Sequence, residues 1–188
     1  MKNKKVLISG GTHGIGLEIA KILAKNKFDI SFFSRSKKNI TKTLKTLKKY
    51  NVKTYAEQVD ALNLDEIENF FKNLKKNFGE IDILINNVGG GGSWGSDLIE
   101  ETNYKVWSEV NTKNVGAAIK LITLSVPSMK RKKWGRVISI ASISAKKGVG
   151  RPWYVLSKKS EVVFATEEGI DALLNLLEVS QLIARVQV

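Results

Sequence analysis

The sequence predicts an α/β fold built on a parallel sheet, and three observations support this prediction. Short apolar segments alternate with amphipathic helical segments over the first 145 residues. The fourth apolar segment, residues 81–85, has the composition of a strand buried on both faces. The intervening helical segments are long enough to act as crossovers, which join parallel strands in a right-handed sense. We expect residues 1–188 to form one domain.

Each element follows from its own pattern of apolar residues. Apolar runs rich in β-branched and aromatic residues predict strands over residues 4–9, 28–33, 52–59, 81–85 and 136–140. Apolar stripes at spacings of three and four predict helices over residues 15–23, 40–47, 64–78 and 104–129. Gly79 is expected to cap the third helix, and Pro127 to perturb the last turn of the fourth.

Composition excludes several kinds of site. The chain has no cysteine, so it has no disulfide framework, no thiolate nucleophile and no cysteine metal site. A single histidine disfavours zinc and Ser-His-Asp chemistry. No apolar run approaches the roughly 20 residues of a membrane span, and we expect a cytoplasmic protein without a membrane partner. The net charge of +13 leaves a basic nucleic-acid-binding domain as a distant alternative, but the lysines are spread over several helical faces, so no nucleic-acid partner is expected.

A glycine-rich turn joins the first strand to the first helix. Residues 9–16 read SGGTHGIG, with glycines at 10, 14 and 16. Glycine lets the backbone approach a diphosphate, and the helix N-terminus then faces its negative charge. The turn therefore predicts a dinucleotide site, and an ordinary tight strand-to-helix turn is the alternative.

The end of the second strand predicts which dinucleotide binds. NAD sites usually carry a carboxylate about 20 residues after the turn, but residues 33–38 read FSRSKK. Arg35 can instead pair with a 2′-phosphate, so we expect NADP(H) rather than NAD(H). A solvated surface arginine is the alternative for Arg35, and an exposed loop residue for His13. The expected contacts in this half of the site are Gly10, Thr12, His13, Gly14, Ile15, Gly16, Ser34 and Arg35.

Six motifs in order resemble the short-chain dehydrogenase/reductase family over about residues 4–159. Within it, the pattern looks like the 3-oxoacyl-carrier-protein reductases. The resemblance implies a Rossmann-type doubly wound sheet with helices on both faces. It also implies an NADP(H)-dependent oxidoreductase that moves a hydride between nicotinamide and a carbonyl or alcohol. The matching positions are the turn at 10–16, Asp60, the NNVG run at 86–89 with Val for the family's Ala, Asn111, Ser142, and the pair Tyr154 and Lys158.

The side chains explain this chemistry. Reducing a carbonyl leaves negative charge on oxygen, so a proton must arrive there, and Tyr154 is the candidate donor. Lys158 lies one helical turn later on the same face, where its ammonium group favours a phenolate. Ser142 can donate a hydrogen bond to the substrate oxygen. A chance Tyr-x3-Lys spacing, and a capping role for Ser142 with Ser144 nearby, are the alternatives.

The resemblance assigns the remaining roles. It implies that Asp60 contacts the adenine, that Asn87 and Gly89 contact the cofactor, and that Lys158 also binds the nicotinamide ribose. It implies that Asn111 holds a water that relays protons to Lys158. A local capping role for Asn111, with Asn114 close by, and turn roles for residues 86–87 are the alternatives.

Two segments predict contact with a small-molecule carbonyl or alcohol, of which an acyl thioester is one candidate. The run GGGGSWG at 89–95 is mobile until something orders it, and residues 146–153 join the serine to the tyrosine. Trp94 and Trp153 line an apolar pocket or pack within the protein.

The C-terminus departs from the family pattern. No Pro-Gly motif follows Lys158 and no lysine follows Lys159. Residues 182–188 are either a stub of a sixth strand or the end of a helix that carries Ile170, Leu173, Leu174 and Leu177. We therefore expect residues 160–188 to be shortened or altered, with the C-terminal strands missing or incomplete. A second interpretation follows, a truncated Rossmann module that binds a dinucleotide or a partner without turnover. A homodimer through helix four and a helix over residues 155–178 is compatible with either.

Overall fold

Five parallel strands form the centre of the molecule. The computed structural model describes residues 4–166, and the expectations about residues 167–188 lie outside them. The strands run in the order β3-β2-β1-β4-β5, and every neighbouring pair is parallel. Their bounds are Lys5–Ser9 for β1, Asp29–Ser34 for β2, Thr54–Gln58 for β3, Ile83–Asn86 for β4 and Arg136–Ser139 for β5.

Helices connect the strands, and two short turns of other helix types occur among them. The α-helices span Gly14–Lys25 (α1), Lys37–Leu47 (α2), Leu64–Asn77 (α3), Tyr104–Asn111 (α4), Ala117–Arg131 (α5), Ile143–Lys147 (α6) and Pro152–Thr166 (α7). A 3-10 turn at Lys48–Tyr50 follows α2, and a π-helical turn at Thr112–Gly116 joins α4 to α5.

The sheet is buried on both faces, because successive residues of a strand point to opposite sides. In β1, Val6 and Ile8 pack with the apolar side chains of α1 and α2, whereas Leu7 packs with those of α3 and α5. All three are fully buried. The two apolar cores confirm the doubly wound arrangement that the sequence predicts.

The predicted fourth helix differs from the observed one. The stripe predicts one helix over 104–129, but the structure breaks it into α4, the π-helical turn and α5. Pro127 lies inside α5, which continues to Arg131, so the proline does not end the helix. Gly79 has φ +98° and its N–H bonds to the Leu74 carbonyl at 3.0 Å, as expected of the residue after a helix end. Within residues 4–166 no helix has the length and apolarity needed to cross a membrane.

Candidate functional site

The loops that follow β1, β4 and β5 meet at the carboxyl edge of the sheet. The chain builds β2 and β3 on one side of β1 and then returns to place β4 and β5 on the other. Parallel sheets bind ligands where the strand order reverses in this way. The glycine turn, the loop from 89 to 95 and the start of α7 therefore belong to one candidate site.

The glycine turn leaves an open space above the N-terminus of α1. Gly14 is the first residue of the helix and has φ +52°. A Cβ built on it would meet no atom within 4 Å. Ile15, which follows it, is half exposed. The first N–H groups of a helix lack intrahelical partners and attract anions, so this open turn fits a diphosphate.

The other two glycines of the motif are required by close packing. Gly10 has φ +71°, and its N–H donates to the Phe33 carbonyl at 3.1 Å. A Cβ on Gly16 would lie 2.5 Å from both the Gly10 carbonyl oxygen and the Asn87 amide nitrogen. The three glycines therefore have different roles. Gly14 leaves a space open above the helix, whereas Gly10 and Gly16 let the turn pack closely against the end of β2 and against Asn87.

Asn87 fastens this turn to the loop after β4. Its side-chain amide donates to the carbonyl oxygens of Ser9 and Gly10 at 2.9 and 3.2 Å. The Ser9 hydroxyl accepts the backbone N–H groups of Asn87 and Val88, each at 2.9 Å. Both amide hydrogens of Asn87 thus serve the protein, and its direct effect is to hold the glycine turn in shape.

The end of β2 places hydroxyl groups beside the turn. The Thr12 hydroxyl donates to Ser34 Oγ at 2.9 Å, and His13 Nδ1 lies 3.4 Å from the Thr12 hydroxyl. Arg35, the next residue after β2, is exposed. Asp60 follows β3, where its carboxylate accepts the Leu62 N–H at 3.1 Å.

The Lys158 side chain reaches the carboxyl edge from α7. It is 4% exposed, and its ammonium donates to the carbonyl of Ile140, just past β5, at 3.1 Å. A Cβ on Gly89 would lie 2.6 Å from Nζ. A larger residue at 89 would therefore force this ammonium group to shift from its place between the ends of β4 and β5.

Tyr154 lies against the same loop as Lys158. A Cβ on Gly92 would meet the Tyr154 ring at 3.5 Å, and the ring is half-buried. Since Gly89 contacts Lys158 and Gly92 faces Tyr154, both side chains project from the same face of α7. The structure brings the predicted phenol and ammonium to one loop.

Ser142 is the N-cap residue of α6, a short helix that the sequence analysis did not predict. Its hydroxyl oxygen accepts the Ser144 N–H at 3.2 Å and so caps the helix. An N-cap uses the hydroxyl as an acceptor only, so its hydrogen remains available for donation. The capping alternative and the predicted donor role are therefore compatible.

The asparagine whose side chain joins the glycine loop to α7 is Asn114, three residues after the predicted Asn111. Asn111 is the last residue of α4. Asn114 is buried in the π-helical turn, and its amide group exchanges two 3.0 Å hydrogen bonds with the backbone of Gly90. It also donates to the Ser157 hydroxyl at 2.8 Å. Asn114 thereby joins the glycine loop to α7. Asn114 lies within the π-helical turn, which takes one residue more than an α-helical turn.

Two charged groups in the site were missed by the sequence analysis. Lys113 is half-buried, with its ammonium 4.8 Å from the centre of the Trp94 ring. Burial lowers the pKa of Lys113, and the charges of Arg35 and Lys158 lower it further while Asp60 opposes them. Glu161 is buried on α7, where its carboxylate pairs with Lys158. The one available signal for Glu161 was its i,i+3 spacing from Lys158, which is equally typical of a surface ion pair.

The far end of the glycine loop is held by Arg151. Its guanidinium donates to the carbonyl oxygens of Ser93 and Gly95 and pairs with Asp97. Trp94 packs under Lys113, whereas the Trp153 ring meets Trp107 edge-on at 6.4 Å. The two tryptophans predicted for one pocket therefore have different neighbours. Among residues 4–166 no cluster of His, Asp and Glu side chains could hold a metal ion.

Comparison with known proteins agrees with this geometry. The chain is 31% identical over 169 residues to the ketoacyl reductase HetN of Nostoc sp., covering 89% of this chain and 57% of that protein. It is 31% identical over 171 residues to a putative ketoacyl reductase of Streptomyces coelicolor, covering 88% of this chain and 63% of the relative. The chain thus spans about three fifths of the length of these curated relatives.

A solved structure shares both the fold and part of the sequence. The actinorhodin polyketide ketoreductase, F189W variant with NADPH, superposes with a TM-score of 0.83 at 28% identity, over 90% of this chain and 65% of that one. The sequence pattern of the family described as short chain dehydrogenase matches residues 4–169. A parallel sheet with an open glycine turn at its switch point, and a match over most of the chain, lead to one conclusion: the chain belongs to the short-chain dehydrogenase family.

Proposed function

We propose that this chain binds NADP(H) and reduces a carbonyl compound, or oxidises the corresponding alcohol. The observation that carries the proposal is the position of Tyr154 and Lys158, which share one face of α7 against the glycine loop. The open turn above Gly14 lies at the same edge of the sheet. A dinucleotide that starts at the turn and extends toward β5 would bring its reactive ring to the tyrosine.

Residues along the cleft would hold the dinucleotide. The N-terminus of α1 at Gly14 would hold the diphosphate, and Asp60 the adenine. Lys158 would hold the ribose next to the nicotinamide. When bound, the cofactor supplies the hydride; the chain's own residues manage the proton and the charge. Gly10, Gly16 and Asn87 shape the turn that would hold the diphosphate.

The charge near the end of β2 favours NADP(H). Residues 33–38 carry no carboxylate that would oppose a 2′-phosphate, and Arg35 is exposed and free to turn toward it. Thr12, His13 and Ser34 add hydrogen-bonding groups beside it. The ketoreductase structure determined with NADPH is consistent with this preference.

The proton chemistry falls to four side chains. Tyr154 would donate its phenolic proton to the substrate oxygen, and an ammonium nearby stabilises the phenolate that remains. Ser142 would donate a hydrogen bond to the same oxygen. The fourth side chain of the set is an asparagine. We assign this role to Asn114 in place of Asn111, because Asn114 links the glycine loop to α7.

The substrate class follows from the relatives. Two of them are named ketoacyl reductases, so a ketoacyl thioester is the first substrate to test. A homodimer through α4, α5 and α7 is supported by exposed apolar side chains there, among them Tyr104, Ile119 and Leu156. Light scattering on a sizing column tests the dimer, and a monomer at all concentrations would contradict it.

The activity is tested by binding first and turnover second. NADPH fluorescence should change on titration with the protein, and a panel of ketones and oxoacyl thioesters should then oxidise the bound NADPH. Binding without oxidation of NADPH by any member of the panel would support the non-catalytic module instead. Salt-dependent DNA binding without NADPH binding would support the nucleic-acid alternative.

A further inference from the structure

Lys158 and Glu161 form a buried ion pair one turn apart on α7. Their side chains are 5% and 2% exposed. Lys158 Nζ lies 2.9 Å from Oε1 and 2.8 Å from Oε2 of Glu161, and 3.1 Å from the Ile140 carbonyl oxygen. An ammonium group has three N–H donors. Within the described residues, the three N–H groups of Lys158 therefore have one acceptor atom each.

This ion pair competes with the two interactions that the proposed function assigns to Lys158, one with the ribose and one with the phenolate. A ribose hydroxyl needs an N–H group that is not already engaged, and a phenolate needs a positive charge that is not already neutralised. The Glu161 carboxylate takes both, at hydrogen-bonding distance and away from water. Burial makes the competition strong, because a charge pair attracts more strongly where water does not screen it.

We propose that Glu161 is a positioning residue that holds the Lys158 ammonium in an ion pair and competes with the dinucleotide ribose for the N–H groups of Lys158. The proposal rests on the proposed dinucleotide function. On binding, Lys158 keeps its bond to the Ile140 carbonyl and exchanges at least one carboxylate oxygen for a ribose oxygen. No covalent bond changes; the ammonium changes partner.

The competition should depend on pH. Burial raises the pKa of Glu161 to about 7, although Lys158 pulls it down. Among residues 4–166, the charge on another element packed on α7 that couples to Lys158 is that of Lys113 in the π-helical turn. Below about pH 7, Glu161 gains a proton, and the Lys158 ammonium then donates to a neutral carboxyl group, which holds it more weakly than the carboxylate does. Above it, the full ion pair forms, so NADPH affinity should fall as the pH rises.

The test is the NADPH dissociation constant of the full chain between pH 5.5 and 8.5, measured by fluorescence. Glu161→Gln should bind NADPH about tenfold more tightly than the wild type at pH 8.5, and within about twofold at pH 5.5. Titration of the 2′-phosphate contributes equally to both proteins and cancels in the ratio. Glu68→Gln is the matched control, because it breaks the Lys120–Glu68 pair between α3 and α5 and should follow the wild-type profile.

The outcomes separate this inference from the proposed function. Parallel pH profiles in the wild type and Glu161→Gln would leave the dinucleotide function standing and overturn the role of Glu161. No NADPH binding by either protein at any pH would overturn both. Should circular dichroism show that Glu161→Gln is unfolded, Glu161→Asp replaces it. Its shorter carboxylate should raise NADPH affinity about threefold at pH 8.5, and an unchanged affinity would overturn the inference.

Discussion

Adding a methyl group at Gly14 tests where the diphosphate lies. Gly14 has φ +52° and nothing within 4 Å of a built Cβ. Gly14→Ala therefore costs backbone strain and no clash, roughly 1–2 kcal/mol, which corresponds to a melting temperature lower by roughly 2–8 °C. If a diphosphate occupies the open space, the methyl group displaces it, and NADPH affinity should fall at least about tenfold.

Two further glycines make this measurement specific. Gly148 has φ +67° and is equally open, so Gly148→Ala should show the same loss of melting temperature with unchanged NADPH affinity. Gly16→Ala should destabilise the protein through contact with the Gly10 carbonyl. Overpacking costs about 1–3 kcal/mol, of which the helix preference of alanine offsets up to about 1 kcal/mol. Differential scanning fluorimetry reports stability and NADPH fluorescence reports affinity. Wild-type affinity in Gly14→Ala would refute the placement of the diphosphate.

The other predictions concern the rest of the cleft. Tyr154→Phe should lower turnover at least about 100-fold with NADPH affinity within twofold of the wild type; unchanged steady-state rates would contradict its role. Arg35→Ala should weaken NADPH binding about tenfold in fluorescence titration and leave NADH binding unaffected. An equal loss of affinity for both cofactors would contradict the 2′-phosphate contact. Asn114→Ala should cost about 1–3 kcal/mol in urea denaturation, because it leaves buried partners unbonded, and Asn111→Ala less than about 0.5 kcal/mol. The reverse order would contradict the link that Asn114 makes between the glycine loop and α7.

The alternation of strands and helices could be predicted because each element has its own apolar pattern within a short stretch of the chain. Each strand is a short apolar run, and each helix carries a stripe with a period near 3.6 residues. The predicted bounds of α3, residues 64–78, agree with Leu64–Asn77. The glycine turn could be predicted for the same reason, since its spacing and its neighbours lie in one stretch of chain.

What the sequence analysis missed depends on contacts between distant segments. Asn111 and Asn114 are three residues apart on a helical stripe, so spacing alone does not separate them; the π-helical turn does. Lys158 and Glu161 have the spacing of an ordinary solvent-exposed pair, yet both are buried, and Lys158 lies against the end of β5 and the glycine loop. The proximity of Lys113 to the charges of Arg35 and Asp60 likewise requires three segments to fold together.

The amide of Asn114 has a mechanical consequence for the whole site. One side chain bonds the loop at Gly90 and the helix at Ser157, so neither can shift alone without breaking a buried hydrogen bond. Loop and helix should therefore open as a single cooperative unit in native-state hydrogen exchange. A ligand that stiffens the loop would then slow amide exchange in the first turns of α7, and the segment carrying the phenol would become rigid in the same step.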